Sequence, residues 1–183
     1  MSSLIYTIGH STRELSNFIE ILKTYNIELL VDVRTVPKSR HVPQFNHDNL
    51  QEKLPEQNIE YIHLEKLGGL RHVLKDSINK GWHNKSFRGY ADYMQTDGFI
   101  EGMKQLEALA KTKQVAIMCA EAVPWRCHRS MVGDALLVRG FEVIDIFDTK
   151  KTQDEKLTSF AEVDGENIIY PDGGEPENKE IND

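Results

Sequence analysis

Apolar residues along the chain alternate between short unbroken runs and stretches spaced three or four apart, the patterns of buried strands and of helices with one buried face. Leu4 to Gly9 is the first run. His10, Ser11 and Thr12 follow in a turn, and Leu15, Phe18, Ile19 and Leu22 then mark one face of a helix ending at Tyr25 and Asn26. Ser11 and Glu14 stand at capping-box spacing, which predicts the helix start there. A second strand spans Glu28 to Arg34, and Asp32 and Arg34, two apart, share one side near its carboxyl end. A loop with two prolines, a short helix at about Asp48 to Leu54 and a third strand at Ile59 to Leu64 come next. Phe99, Met103, Leu106, Leu109 and Ala110 predict a helix over Asp97 to Lys111. Val115 to Met118 predicts a strand ending at Cys119, Ser130 to Arg139 a helix stopped by Gly140, and Phe141 to Phe147 a fifth strand.

Strands alternating with helices predict the α/β class: one domain over residues 1–149 with a mostly parallel, Rossmann-like sheet of about five strands flanked by helices. Four polar segments, Gly9/His10, Asp32/Arg34, Gly68/Gly69 and Cys119/Glu121, then fall at carboxyl ends of strands, the edge where such sheets bind ligands. Between Lys66 and Ala91 the chain carries Lys66, Arg71, Lys75, Lys80, Lys85 and Arg88 against Asp76 alone, interleaved with Trp82, Phe87 and Tyr90. This basic and aromatic insertion after the third strand reads either as a lid able to cover phosphates and stack on a planar group, or as an insertion whose rings pack down on the body.

Composition sharpens the picture at three points. With 183 residues and 39% apolar content the chain can bury one ordinary core. The net charge of -7 belongs to the C-terminus: residues 152–183 hold ten acidic and two basic residues, leaving a body with 19 acidic and 20 basic ones. Residues 150–183 therefore read as an acidic, flexible tail, with a docking strand at Asn167 to Tyr170, while the neutral body remains free to bind anions. Two cysteines are too few for a disulfide scaffold, and neither a signal peptide nor a membrane-spanning run is seen, so a reduced, soluble, cytoplasmic protein is expected.

The densest chemistry lies in Val115 to Ser130, VAIMCAEAVPWRCHRS. A thiolate is the nucleophilic form of cysteine, and a neighbouring cation or helix N-terminus favours it. Cys127, between Arg126 and His128 and just before a helix, has the better electrostatic setting; Cys119 has the better strand-end position. Glu121 or His128 is the candidate acid or base, with Arg34, Arg126 and Arg129 to hold an anionic substrate. Gly9, His10, Ser11, Asp32, Gly68, Gly69, Arg88 and Tyr90 complete the candidate binding surface. Against this stands a structural account in which Cys119 is a buried strand-end residue and Arg129 pairs with Asp32 to hold the loop. A nucleic-acid or nucleotide binder using the basic insertion is the second functional reading. A metal centre of Cys119, Cys127 and His128, extended by His10, is the third, although the paired spacing of structural zinc sites is missing. The other histidines, His41, His47, His63, His72 and His83, read as surface or loop residues. No cofactor, reaction or oligomeric state follows from these residues.

The ordered series TIGHST, LLVDVR followed by PKSR, YIHLEKLGG, FRGYADYM and CAEAVPWRCHR resembles the "domain of unknown function 488" family over about residues 4–148. The resemblance implies the α/β domain and no particular activity. A weaker one, to rhodanese-like domains, runs through LVDVR, Cys119, Arg129 with Ser130, and Gly140 with Phe141. Ala120 to His128 is longer than the compact loop that such enzymes wrap around an anion and carries Pro124 and Trp125, so sulfur transfer is not carried over.

Overall fold

The computed structural model describes residues 3–172. Five parallel strands form the body of one sheet: β1 (Leu4–Gly9), β2 (Leu29–Asp32), β3 (Glu60–His63), β4 (Val115–Cys119) and β5 (Glu142–Ile146). A sixth, β6 (Thr152–Asp154), adds antiparallel to β5, giving the order β3-β2-β4-β1-β5-β6. The domain is thus a mostly parallel α/β fold, as the alternating pattern predicts, with one strand more than expected. β6 escapes the pattern because all three of its residues are exposed and carry no apolar signal.

Period-two alternation along the central strands divides the core between the two faces. Leu29, Val31 and Val33, with Val115, Ile117 and Cys119, face a layer built from α3 (Lys85–Tyr93), α4 (Asp97–Ala110) and α5 (Arg129–Val138). Leu30, Ala116 and Met118 face α1 (Leu15–Thr24) and α2 (His47–Glu56) through Phe18, Ile21, Leu22, Leu50 and Leu54. Both sides of the sheet are covered, which is why its strands read as nearly continuous apolar runs.

Two expectations change, and the structure decides between the two readings of the insertion. The capping box at Ser11 and Glu14 does not form: Glu14 is the N-cap residue of α1, and its side chain makes no cap hydrogen bond. Ser11 lies in the left-handed region at φ 52°, and its backbone N–H donates to the Ala120 carbonyl, which draws the turn toward the cysteine loop. The insertion is not an open lid. Its residues 85–93 form α3, capped by the Asn84 side chain accepting from the Phe87 N–H at 3.1 Å, and Trp82, Phe87 and Tyr90 are buried in the core. The rings that were to stack on a base are the rings that fill the domain.

The C-terminal segment, read as a flexible tail from residue 150, is built into the fold as far as Asp172. After β6, a hairpin of β7 (Glu162–Asp164) and β8 (Asn167–Ile169) brings Tyr170 to full burial against Trp82 and Phe160. The Tyr170 hydroxyl donates to Asp134 at 2.7 Å, its N–H donates to the Asn79 side chain at 2.9 Å, and its carbonyl accepts from Gly81. The acidic composition hid this docking because one aromatic side chain supplies most of it. The expected docking strand at Asn167 to Tyr170 coincides with β8, and the remainder of the acidic tail lies outside the described residues.

Candidate functional site

Parallel register brings the carboxyl ends of the strands level. Gly9 is the partner of Cys119, and Asp32 lies between Met118 and His63. Beyond the strands the ladder continues for two residues, with the His10 N–H donating to the Cys119 carbonyl and the Ser11 N–H to the Ala120 carbonyl, both at 2.9 Å. This holds the loop after Cys119 flat on the end of β1. The approach is so close that a Cβ on Gly9 would lie 1.6 Å from the Glu121 carbonyl oxygen, so the position has room for glycine alone.

The loop returns the chain to α5, and with it Cys127 comes to Cys119. The Cys119 thiol, 1% exposed, has two acceptors in reach: the Glu121 carbonyl at 3.7 Å and the Cys127 sulfur. Cys127, 8% exposed, also meets His128 Nδ1 at 3.5 Å and the backbone N–H of Arg129 at the start of α5. The two thiols are therefore unlike. Burial, reinforced by its hydrogen bond to Cys127, pushes the Cys119 thiol well up. Burial also pushes Cys127 up, but the Cys119 hydrogen bond, the Arg129 charge and the Arg129 N–H together outweigh it, and its pKa is lowered.

Arg129 supplies the charge in an unusual way. It is fully buried, and its guanidinium donates to the Thr7 hydroxyl at 2.9 Å and the Glu121 carbonyl at 3.2 Å. Among the described residues it makes no salt bridge, and its Nε has no hydrogen-bond partner. The expected pair with Asp32 does not form. Instead the Arg129 guanidinium meets Thr7, whose hydroxyl donates to Asp145 at 2.5 Å, and its charge also acts on Asp145 and Glu155 nearby. Burial raises the pKa of Asp145, and that of Glu155 beside it is pushed up to about 10 by burial and by the Asp145 charge. A buried cation costs free energy unless anions compensate it, and a thiolate at Cys127, whose pKa the Arg129 charge lowers, adds to the compensation that Asp145 offers.

His128 is placed to move a proton. Its Nε2–H donates to the Val33 carbonyl at 2.8 Å, the Leu67 carbonyl also lies within hydrogen-bonding reach of the ring, and Nδ1 faces Cys127. Burial lowers its pKa and keeps the ring neutral. The ring lies 4.7 Å from that of Tyr90, and a Cβ on Gly69 would come within 3.0 Å of Nδ1, so the double glycine serves to seat this imidazole. Gly68 packs on Thr35 in the same turn.

Asp32, Arg34 and His10 form a separate, rigid group beside the thiols. Arg34 donates to both Asp32 oxygens, at 2.9 and 2.7 Å, and to the Phe45 carbonyl at 2.7 Å, while Tyr61 donates to Asp32 at 2.5 Å. His10 stacks on Phe45 and faces the Arg34 guanidinium at 3.2 Å. Burial, with a smaller contribution from Arg34, lowers the His10 pKa to about 4. Asp32 and Arg34 are thus joined as an ion pair, and His10 is turned toward Arg34.

The other candidate residues scatter. The Glu121 side chain is exposed and contributes its carbonyl to the site, Arg126 is exposed on the loop, and Tyr90 donates its hydroxyl to the Leu67 carbonyl at 2.8 Å. Arg88 donates to the Trp82 carbonyl at 2.8 Å and to that of Lys80, which fixes the insertion. Among the described residues no group of three or more His, Cys, Asp or Glu side chains is arranged to hold a metal ion. A surface depression lined by Lys23, Asn26, Glu28, Gln57, Asn58 and Gln114 lies at the opposite, amino edge of the sheet, away from this chemistry.

Sequence reasoning missed Thr7, Tyr61, His63 and Asp145. Their signal was polarity inside apolar strands. Thr7 in LIYTIG and Asp145 in FEVIDIF prove to be register partners, as do Asp32 and His63, whose Nε2 contacts the Arg34 carbonyl at 2.6 Å.

Fold and site together define a mostly parallel α/β domain with a thiol pair, a histidine and a buried arginine at the carboxyl edge of its sheet. A family model described as "Domain of unknown function DUF488" matches residues 14–136, and the chain belongs to that family. The match does not extend to rhodanese-like domains. Neither a curated protein nor a solved structure matches the chain. Among the described residues no helix is long and apolar enough to cross a membrane.

Proposed function

We propose that this protein is a thiol-dependent enzyme in which Cys127 is the nucleophile and the substrate is anionic. The observation that supports this reading is Arg129, a fully buried cation without a salt bridge among the described residues, lying beside a cysteine whose own pKa is lowered.

In this reading His128 Nδ1 accepts the Cys127 proton and later returns it to the leaving group. Cys119 donates a hydrogen bond to the thiolate, and Arg129 balances its charge. Arg126, exposed on the same loop, meets the anionic part of the substrate.

Paired alkylation with iodoacetamide and iodoacetate, one neutral and one anionic, tests both halves. Relative to free cysteine, Cys127 should favour iodoacetate, and Arg126→Ala should erase that preference while leaving the iodoacetamide rate intact. A Cys127 that discriminates against iodoacetate as free cysteine does would contradict the anionic substrate.

A further inference from the structure

We propose that Cys119 and Cys127 form a hydroperoxide-reducing pair, in which Cys127 is the sulfur oxidised by the peroxide and Cys119 the sulfur that resolves it. The proposal rests on the reading of Cys127 as nucleophile and narrows the anionic substrate of the same site to a hydroperoxide, ROOH, whose R group carries the anion, with hydrogen peroxide as the minimal probe.

Access is the first argument. Cys127 is 8% exposed and Cys119 1%, so the reagent that reaches sulfur must be small and meets Cys127 first. A peroxide oxygen is among the smallest electrophiles available to a thiolate.

Position is the second. Cys119 ends β4, pinned by its carbonyl to the His10 N–H, with its thiol in reach of the Glu121 carbonyl and the Cys127 sulfur. Acyl or phosphoryl transfer by Cys127 gives this second thiol no covalent task. Capture of a sulfenic acid requires a second thiol beside the first. The unequal protonation of the pair also suits the sequence of events, with a thiolate at Cys127 for attack and a proton kept on Cys119 until resolution.

The chemistry balances with a hydroperoxide, ROOH, as oxidant. The Cys127 thiolate attacks the hydrogen-bearing peroxide oxygen, an S–O bond forms, the O–O bond breaks, and the alkoxide takes up a solvent proton relayed by His128 Nδ1 and leaves as ROH. Cys127 is now a sulfenic acid. The Cys119 sulfur attacks the Cys127 sulfur, the S–S bond forms, the S–O bond breaks, and water leaves carrying the Cys119 proton. The two sulfurs together have lost two electrons and the peroxide has gained them. An external dithiol restores both thiols by exchange and is itself oxidised to its disulfide.

The test adds hydrogen peroxide at one equivalent to the reduced, full-length protein under argon and follows free thiols, intact mass and peptide maps. The wild type should lose both thiols to a single Cys119–Cys127 disulfide that dithiothreitol reverses. In Cys119→Ser, dimedone should capture a sulfenic acid on Cys127. In Cys127→Ser, Cys119 should stay reduced. Should both wild-type thiols survive peroxide while Cys127 still alkylates rapidly, the peroxide proposal is overturned and the nucleophile reading stands. Should neither thiol react with peroxide or iodoacetamide, both fall. Disulfides between molecules in place of the internal one would also overturn the pairing. The wild-type measurements carry the decision if either variant fails to fold.

Discussion

An alanine at position 9 would place its methyl carbon 1.6 Å from the Glu121 carbonyl oxygen, 2.4 Å from its carbon and 3.0 Å from the Ala122 Cα. Non-bonded carbon contacts settle at about 3.5 Å, so the loop would have to retreat by about 2 Å. All three obstructing atoms are backbone, and no side-chain rotation relieves them. The retreat acts on the hydrogen bonds from His10 N–H to Cys119, from Ser11 N–H to Ala120 and from the Arg129 guanidinium to Glu121. At about 1 kcal/mol for each backbone bond, about 1.5–3 for the charged one and about 1–3 for overpacking, the loss is about 4.5–8 kcal/mol. That is a large share of the roughly 5–15 kcal/mol that holds a domain together. Urea denaturation measures the stability, and iodoacetamide reactivity of Cys127 reports the loop. The expected variant is strongly destabilised, with Cys127 reacting at the rate of an ordinary exposed thiol. A Gly9→Ala protein within about 1 kcal/mol of wild type, inside the usual range of mild substitutions, and with unchanged thiol reactivity would refute the placement of the loop on β1.

Three further outcomes follow from the same contacts. Arg129→Met should raise the Cys127 pKa toward that of a free thiol while the domain still folds, because it removes a buried charge that makes no salt bridge among the described residues; pH-dependent alkylation and circular dichroism read the two effects. His10, ordinarily near 6.5 but about 4 when folded, takes up its proton more readily in the unfolded chain. Stability should therefore fall as pH drops from 6.5 to 4, by up to about 3 kcal/mol, and His10→Gln should flatten that part of the urea-midpoint profile. Tyr170→Ala should cost about 3–5 kcal/mol, the range for emptying a buried aromatic site, and lower Tm accordingly, whereas a tail that merely rests on the body would leave Tm unchanged.

The parallel sheet was legible because strands covered on both faces are apolar throughout and helices covered on one face are not. The edge of the site was legible for the same reason: polar residues at strand ends stand out against apolar runs. What the one-dimensional pattern could not carry was partnership. A structural reading paired Arg129 with Asp32, but register sets Thr7 beside Asp145 and gives Arg129 the Thr7 hydroxyl. The insertion left two readings open, and the structure takes the one in which its rings pack down on the body. Phe87, Tyr90, Ala91 and Met94 are spaced as one helical face and are buried, but the surrounding lysines suggested a surface lid. The tail misled because its exposed acidic residues outnumber the few, such as Ile168 and Tyr170, that dock it.

The central claim is that Cys127 is a thiolate stabilised by its surroundings and Cys119 is not. The most direct measurement is the pH dependence of the alkylation rate in Cys119→Ala and Cys127→Ala proteins beside wild type. The account predicts a wild-type Cys127 pKa below the free value of about 8.5, a rise when the Cys119 donor is lost, and a Cys119 in Cys127→Ala that stays unreactive until strongly alkaline pH. A Cys127 that titrates at or above the free value in the folded wild-type protein would contradict it.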